Sequence, residues 1–338
     1  MVTVGIIGAS GYTGVELLRL VAAHPEFRLV YATGDTQAGT LASSLYPSLA
    51  VAYPDLVFSE YDPAAVDGLD LVFLGLPHEA SMEIVPQIKE KVGCIVDLSA
   101  AYRMKDASVY PKWYGFEHTQ PAELERAVYG LPELFREDLK GAKLIATPGC
   151  YVTAATLALV PLLRAGTIAG SGIIVDAASG VSGAGRSLKH SSLFCTVDED
   201  FTAYGLLDHR HTPEIEQNLG AQVLFTPHLA PMNRGILATC YARPTGKATT
   251  ASLLATLASF YRNEPFVTVN TNSPSTKATF GSNAVHITAR FDERTGTVMV
   301  ISAIDNLTKG ASGGAVQAAN VALGLEETAG LTNVGVYP

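Results

Sequence analysis

The chain has 338 residues, enough for about two domains of ordinary size. Hydrophobic residues make up 48% and charged residues 16%, the balance of a well-packed globular protein and not of a disordered one. A formal charge of −9 with no Lys/Arg cluster argues against a nucleic-acid surface, and the longest mainly apolar stretch, Tyr151 to Leu163, is too short to span a bilayer and contains Pro161.

Met1-Val2-Thr3-Val4-Gly5 has no basic region and runs directly into a strand pattern, unlike a signal peptide, so a cytoplasmic location is expected. Cys94, Cys150, Cys195 and Cys240 show no close pairing, which speaks against a disulfide framework or a metal site. Thr3–Ile7, Phe27–Ala32, Leu69–Leu74 and Cys94–Leu98 read as strands, with Lys143–Ala146 as the last of the series. Helical patterns at Val15–His24 and Ser81–Lys91 lie between them. Apolar strands separated by helices imply a parallel sheet covered on both faces.

After Cys150 the pattern changes. Val152–Leu163 reads as a helix, followed by strand patterns at Gly172–Ala177, Val223–Thr226, Ile236–Arg243, Ala284–Phe291 and Thr297–Asp305. Asp292–Gly296 is expected to close a hairpin between the last two. Thr212-Pro213-Glu214 predicts a helix start with Thr as N-cap, and a final helix spans about Gly314–Leu325. This half is expected to be a second domain on a mostly antiparallel sheet.

Three constellations carry chemistry. Gly8-Ala9-Ser10-Gly11-Tyr12-Thr13-Gly14 sits between the first strand and first helix, where glycines let backbone N–H groups approach a pyrophosphate. After the second strand, Asp35 either accepts from a ribose 2′-OH, which favours NAD, or closes a turn with Gly34; no Lys or Arg occurs between Arg28 and Lys89 to meet a 2′-phosphate. Second, Thr147-Pro148-Gly149-Cys150-Tyr151 places a thiol at a helix start, where the dipole favours thiolate; packing of a buried Cys explains the position equally well. Third, Asp208-His209-Arg210-His211 and the loop Ser179-Gly180-Val181-Ser182-Gly183-Ala184-Gly185-Arg186 supply imidazoles, guanidinium groups and backbone N–H groups suited to proton transfer and to an anion.

In order along the chain, Gly8–Gly14, Gly75-Leu76-Pro77-His78, Asp97-Leu98-Ser99-Ala100, Tyr129–Leu134, Pro148–Tyr151, Ser179–Arg186, His209–Ile215, Pro227–Gly235 and Asn306–Gln317 resemble the N-acetyl-γ-glutamyl-phosphate reductase family, within the aspartate-semialdehyde and glyceraldehyde-phosphate dehydrogenase superfamily. Thr147, Ala101-Tyr102 and Val152 stand where that family usually has Asn, Asp-Phe and Pro. The resemblance implies an α/β fold: a Rossmann-type parallel-sheet domain (residues 1–147 with about 311–338) plus an α+β catalytic and oligomerisation domain (148–310) with a mainly antiparallel sheet. It implies NADP as cofactor, with NAD as the alternative, and a small acyl phosphate as substrate. It further implies a homo-oligomer, dimer or tetramer.

By the same resemblance Cys150 is the acyl-carrying nucleophile, with His209 first and His211 second as general acid/base. Gly8, Ser10, Gly11, Tyr12, Thr13, Gly14, Thr33, Asp35, Thr36, Pro77, Ser99, Ser182, Gly183 and Asn306 are the expected cofactor contacts. Arg103, Arg186, Arg210 and Arg234 are the expected holders of substrate phosphate and carboxylate, and Glu214 orients a histidine. The alternatives are an N-acylated aminoadipyl phosphate reductase, one methylene longer, aspartate-semialdehyde dehydrogenase, against which the His-Arg-His-Thr-Pro-Glu segment argues, and a cysteine hydrolase, which leaves the glycine loop unexplained. A non-catalytic nucleotide-sensing protein needs no reactive thiol.

Overall fold

The computed structural model describes residues 1–337, which form two compact units. The first comprises Met1–Tyr110, Phe116–Pro148 and Ala311–Leu331; the second comprises Pro111–Gly115, Gly149–Gly310 and the segment from Thr332 onward. Residues 332–337 thus group with the second unit, where the sequence reading put them with the first. Backbone pairing accounts for this: Asn283 N–H donates to Thr332 O (2.7 Å) and Val336 N–H to Phe280 O (2.8 Å).

In the first unit, β1 (Val2–Ile7), β2 (Phe27–Ala32), β3 (Leu71–Leu74), β4 (Cys94–Asp97), β5 (Val128–Tyr129) and β6 (Leu144–Ala146) make a six-stranded sheet in the order β2-β1-β3-β4-β6-β5. Every neighbouring pair is parallel. The four residues of β3 and of β4 are all buried, as a sheet covered on both faces requires. The strand ending at Ala146 is the last in the chain but not at the edge, because the two-residue β5, which the pattern did not reveal, pairs outside it.

Helices Tyr12–Ala23 and His78–Ile88 begin three residues earlier than their apolar patterns, the first inside the glycine-rich motif at its Gly11 cap and the second after Pro77. The final helix, Gly313–Leu323, belongs to this unit. Its Ala315, Val316, Ala318 and Ala319 are buried in one cluster with Val4, Ile6, Leu17, Leu18, Phe73 and Val96. Small residues along that helix let it approach the Tyr12–Ala23 helix, β4 and the Pro132–Leu139 helix.

The second unit holds β7 (Ile173–Gly180), β8 (Thr202–Ala203), β9 (Val223–Ala230), β10 (Ile236–Ala242), β11 (Val267–Val269), β12 (Val285–Asp292) and β13 (Thr297–Ile304), in the order β11-β12-β13-β10-β7-β9-β8. Pairing is antiparallel except at β7–β9 and β11–β12. Alternation along β10 buries Ile236, Ala238, Cys240 and Ala242 on one face.

Helix Cys150–Arg164 packs against β10 and β13 and is buried from Tyr151 through Leu162, which is why its sequence is apolar all round. The Asp292–Gly296 hairpin forms as expected, with Gly296 at φ 62°. Strand β9 continues through Pro227 to Ala230, four residues past its expected end. Helix Thr250–Phe260 was not read from the sequence; its signal is the box in which Thr249 and Ser252 cap each other ahead of buried Leu253 and Leu257.

Candidate active site

The thiol is presented by a turn with three local supports. Gly149 is the N-cap of helix Cys150–Arg164 in an extended conformation (φ −65°, ψ 147°), and no side chain caps this helix start. The positive end of the helix dipole lies at Cys150, which is part-exposed. Glu214, fully buried in the first turn of helix Thr212–Leu219, accepts the Gly149 N–H at 2.9 Å. Gly310, in the π-helical turn Thr308–Ser312, lies so close that a Cβ there would meet the Cys150 Cβ at 2.9 Å.

Both histidines converge on this turn. A Cβ on Gly149 would sit 2.5 Å from His211 Nε2, so the His211 ring lies flush against the residue that precedes the thiol. His209 Nδ1 accepts the His211 N–H at 3.1 Å, which leaves the His209 proton on Nε2. The rings of Tyr151, Tyr204, Phe225 and His211 enclose His209 at centroid distances of 4.8–5.8 Å. Burial, and then the Arg210 charge against a smaller opposing pull from Asp208, pushes the His209 pKa down to about 4. His209 is therefore neutral at physiological pH.

A cavity of about 400 Å³ opens beside these groups, lined by Cys150, His209, Arg210, His211, Ser179, Gly183 and Ala184. Its remaining wall comes from the segment between β7 and β9, including Lys189, Asp200, Thr202 and Tyr204. None of these four was chosen from the sequence, and neither was Tyr151. The Tyr151 hydroxyl donates to His228 O (2.8 Å) and receives the Tyr204 hydroxyl (3.2 Å). Burial raises both phenols, Tyr204 to about 12, so each stays protonated at neutral pH.

Three other expected substrate residues, Arg103, Arg186 and Arg234, are not among the residues lining this cavity. Arg103 is buried and donates from Nε to Thr147 O (2.6 Å) and from Nη2 to Leu98 O (2.9 Å), bracing the main chain ahead of Pro148. Arg234 grips the fully buried Asp305 (Nε–Oδ2 2.9 Å, Nη2–Oδ1 3.0 Å) and donates to the Thr308 hydroxyl at 2.9 Å. Arg186, whose Nε is buried, is not among the cavity-lining residues. Ser182 and Asn306 bond each other (3.0 Å) and hold Asn233 O and the Gly235 N–H, fixing the second glycine loop while Gly183 reaches the cavity.

In the first unit the loops after β1 and β3 meet backbone to backbone at the carboxyl ends of the strands. Gly8 has φ 89°, and a Cβ there would fall 2.4 Å from Gly75 O; one on Gly14 would fall 2.4 Å from Gly8 O. Only glycine fits either position. Gly11 is the N-cap of helix Tyr12–Ala23 with no side-chain cap, so the first-turn N–H groups of Tyr12, Thr13 and Gly14 suit a pyrophosphate.

Thr33 and Ser10 lock this loop: Thr33 Oγ1 accepts the Gly8 N–H (3.0 Å) and Ser10 Oγ donates to Gly34 O (2.9 Å). Asp35, at φ 47°, and Thr36 are exposed just past β2, and Pro77 caps the next helix. Ser99 is turned inward; its hydroxyl donates to buried Asp97 at 2.7 Å. These features fit a dinucleotide. Among the described residues no group of three His, Cys, Asp or Glu is placed to hold a metal ion, and no helix is long and apolar enough to cross a membrane.

Comparison with known proteins agrees with both units. Residues 3–142 match the family model described as semialdehyde dehydrogenase, NAD binding domain, and residues 150–306 match semialdehyde dehydrogenase, dimerisation domain. Aspartate-semialdehyde dehydrogenase II of Vibrio cholerae, solved with ASA, superposes with TM-score 0.70 at 15% identity, covering 95% of this chain and 98% of that one. The Candida albicans enzyme, solved with NADP, gives 0.67 at 16% identity over 95% and 98%. Those likenesses show the fold.

In sequence, the chain is 49% identical to N-acetyl-gamma-glutamyl-phosphate reductase of Citrifermentans bemidjiense over 100% of both chains. It is 48% identical to that of Symbiobacterium thermophilum over 100% of this chain and 99% of the relative. By full-length identity as well as by fold, the chain belongs to the N-acetyl-γ-glutamyl-phosphate reductase family of semialdehyde dehydrogenases.

Proposed function

We propose that this protein reduces N-acetyl-γ-glutamyl phosphate to the corresponding semialdehyde and phosphate, with NADP as its cofactor, in arginine biosynthesis. The observation that carries the reading is the part-exposed Cys150 at a helix start, in a cavity shared with His209 and His211, in a chain 49% identical to a named reductase.

Cys150 attacks the acyl carbon; a C–S bond forms, the C–O bond to phosphate breaks, and phosphate leaves. A bound nicotinamide would supply the hydride that reduces the acyl carbon. The resulting sulfur-bearing alkoxide collapses as its C–O bond becomes a carbonyl and the C–S bond breaks, releasing aldehyde and thiolate. A thiol serves because it is both a strong nucleophile and a good leaving group. His211, flush against Gly149, takes the thiol proton. Neutral His209 donates from Nε2 to the substrate oxygen, acting as a hydrogen-bonding electrophile and not as an imidazolium. This divides between two residues the acid/base work first assigned mainly to His209. Glu214 keeps the Gly149 turn in place, and Arg210 meets the departing phosphate.

The glycine loop with the Tyr12–Gly14 N–H groups holds the pyrophosphate, and the exposed Asp35 and Thr36 flank the ribose. The protein works in the cytoplasm as a homo-oligomer, dimer or tetramer. The matched dimerisation-domain model and the exposed Phe194, Phe201, Leu206 and Leu207 support self-association.

The test is phosphate-dependent reduction of NADP by N-acetylglutamate semialdehyde, run beside its one-methylene-longer homologue. Turnover of the glutamate compound at higher kcat/KM supports the reading; turnover of the longer aldehyde alone rejects the glutamyl assignment.

A further inference from the structure

The site described so far accounts for the reacting end of the substrate but not for its other charged group, the α-carboxylate two methylenes away. Three formally charged side chains line the thiol cavity besides the titratable groups already discussed: Arg210, Lys189 and Asp200. Arg210 lies between His209 and His211 in sequence. Lys189 comes from a different segment, the one that follows the second glycine loop.

The main chain of Lys189 is fixed, since its N–H donates to Ser192 Oγ (3.3 Å) and its carbonyl accepts the Ser192 N–H and hydroxyl, both at 3.0 Å. Its ammonium has no carboxylate within ion-pair distance among the described residues. Asp200, on the same segment, accepts the Thr202 hydroxyl at 2.6 Å. Of the other arginines expected to bind substrate, Arg103 donates to main-chain carbonyls, Arg234 pairs with Asp305, and Arg186 is not among the cavity-lining residues.

Resting on the reductase reading above, we propose that Lys189 holds the α-carboxylate of the substrate, leaving Arg210 for the phosphate. A fixed backbone with an unpaired ammonium on a long stem suits a carboxylate at the far end of the chain. Lys189 is then a specificity-determining residue: it selects acyl phosphates of amino acids over those lacking the carboxylate.

The experiment measures phosphate-dependent NADP reduction with two aldehydes, N-acetylglutamate semialdehyde and N-acetyl-4-aminobutanal, which differ only in the carboxylate. The wild-type protein is expected to favour the first by about 10–100-fold in kcat/KM, the range for a hydrogen-bonded charge. In Lys189→Met that ratio falls to within about threefold of unity, through KM, and Lys189→Arg restores most of it. An unchanged ratio in Lys189→Met overturns the proposal, as does a ratio that collapses in Arg210→Met alone. If the wild-type protein turns over neither aldehyde, the reductase reading itself falls.

Discussion

Replacing Gly149 with alanine isolates the contact between the thiol turn and His211. The backbone there (φ −65°, ψ 147°) is open to any residue, so the substitution adds a methyl group without conformational strain. That methyl would lie 2.5 Å from His211 Nε2 and 2.8 Å from its Cδ2 and Cε1, so the ring must retreat by about 0.9 Å to reach ordinary contact at 3.4 Å. A displacement of about 1 Å in a reacting group costs on the order of 100-fold in rate, whereas overpacking costs about 1–3 kcal/mol of stability. Steady-state kinetics of the reverse reaction should thus show kcat reduced about 100-fold, with thermal unfolding still cooperative. In a His211→Ala background the same methyl has nothing to displace, and its effect should vanish. A Gly149→Ala protein with kcat within threefold of wild type would refute the placement of His211 as the thiol's proton acceptor.

Glu214→Ala strips the Gly149 N–H of its buried carboxylate partner and should lower stability by about 1.5–3 kcal/mol, read by urea unfolding, while Glu214→Gln, which keeps an acceptor oxygen, should retain more of it. Gly14→Ala places a Cβ 2.4 Å from Gly8 O, so titration of nucleotide fluorescence should show NADPH binding lost while alkylation of Cys150 persists. His24 is buried, its Nδ1 accepts the N–H groups of Glu26 and Phe27, and burial lowers its pKa. Because the unfolded chain binds the proton more readily, this contribution is full above about pH 6.5 and is lost as pH falls below it. Melting temperature should fall between pH 7 and pH 5, and fall less in His24→Leu.

The legible parts of the molecule were those whose chemistry is local. Gly8 and Gly14 are demanded by close backbone approaches, and their spacing between a strand pattern and a helix pattern pointed to them. Pro148-Gly149 ahead of an all-apolar helix marked Cys150 as standing at a helix start, a position that suits packing equally well, and the ordered family motifs rather than the position singled out the thiol. The cavity wall was not visible: Lys189, Asp200 and Tyr204 lie in a segment without sustained periodicity, brought to the thiol by the parallel pairing of β7 with β9. The roles of the arginines were hidden for a related reason. A guanidinium beside a motif reads the same whether it meets a substrate or, like Arg103 and Arg234, main-chain carbonyls and a buried aspartate. Glu214 was placed beside the histidines from its spacing, yet its bond to Gly149 depends on a contact 65 residues away in sequence.

The central claim is that Cys150 carries the acyl group. Incubating the protein with N-acetyl-γ-glutamyl phosphate without nicotinamide cofactor, then digesting it at low pH, allows each cysteine peptide to be weighed. The account predicts one N-acetylglutamyl adduct per chain on Cys150, released as aldehyde when NADPH is added, and none on the exposed Cys195. An adduct on Cys195 alone, or turnover by Cys150→Ser at the wild-type rate, would contradict it.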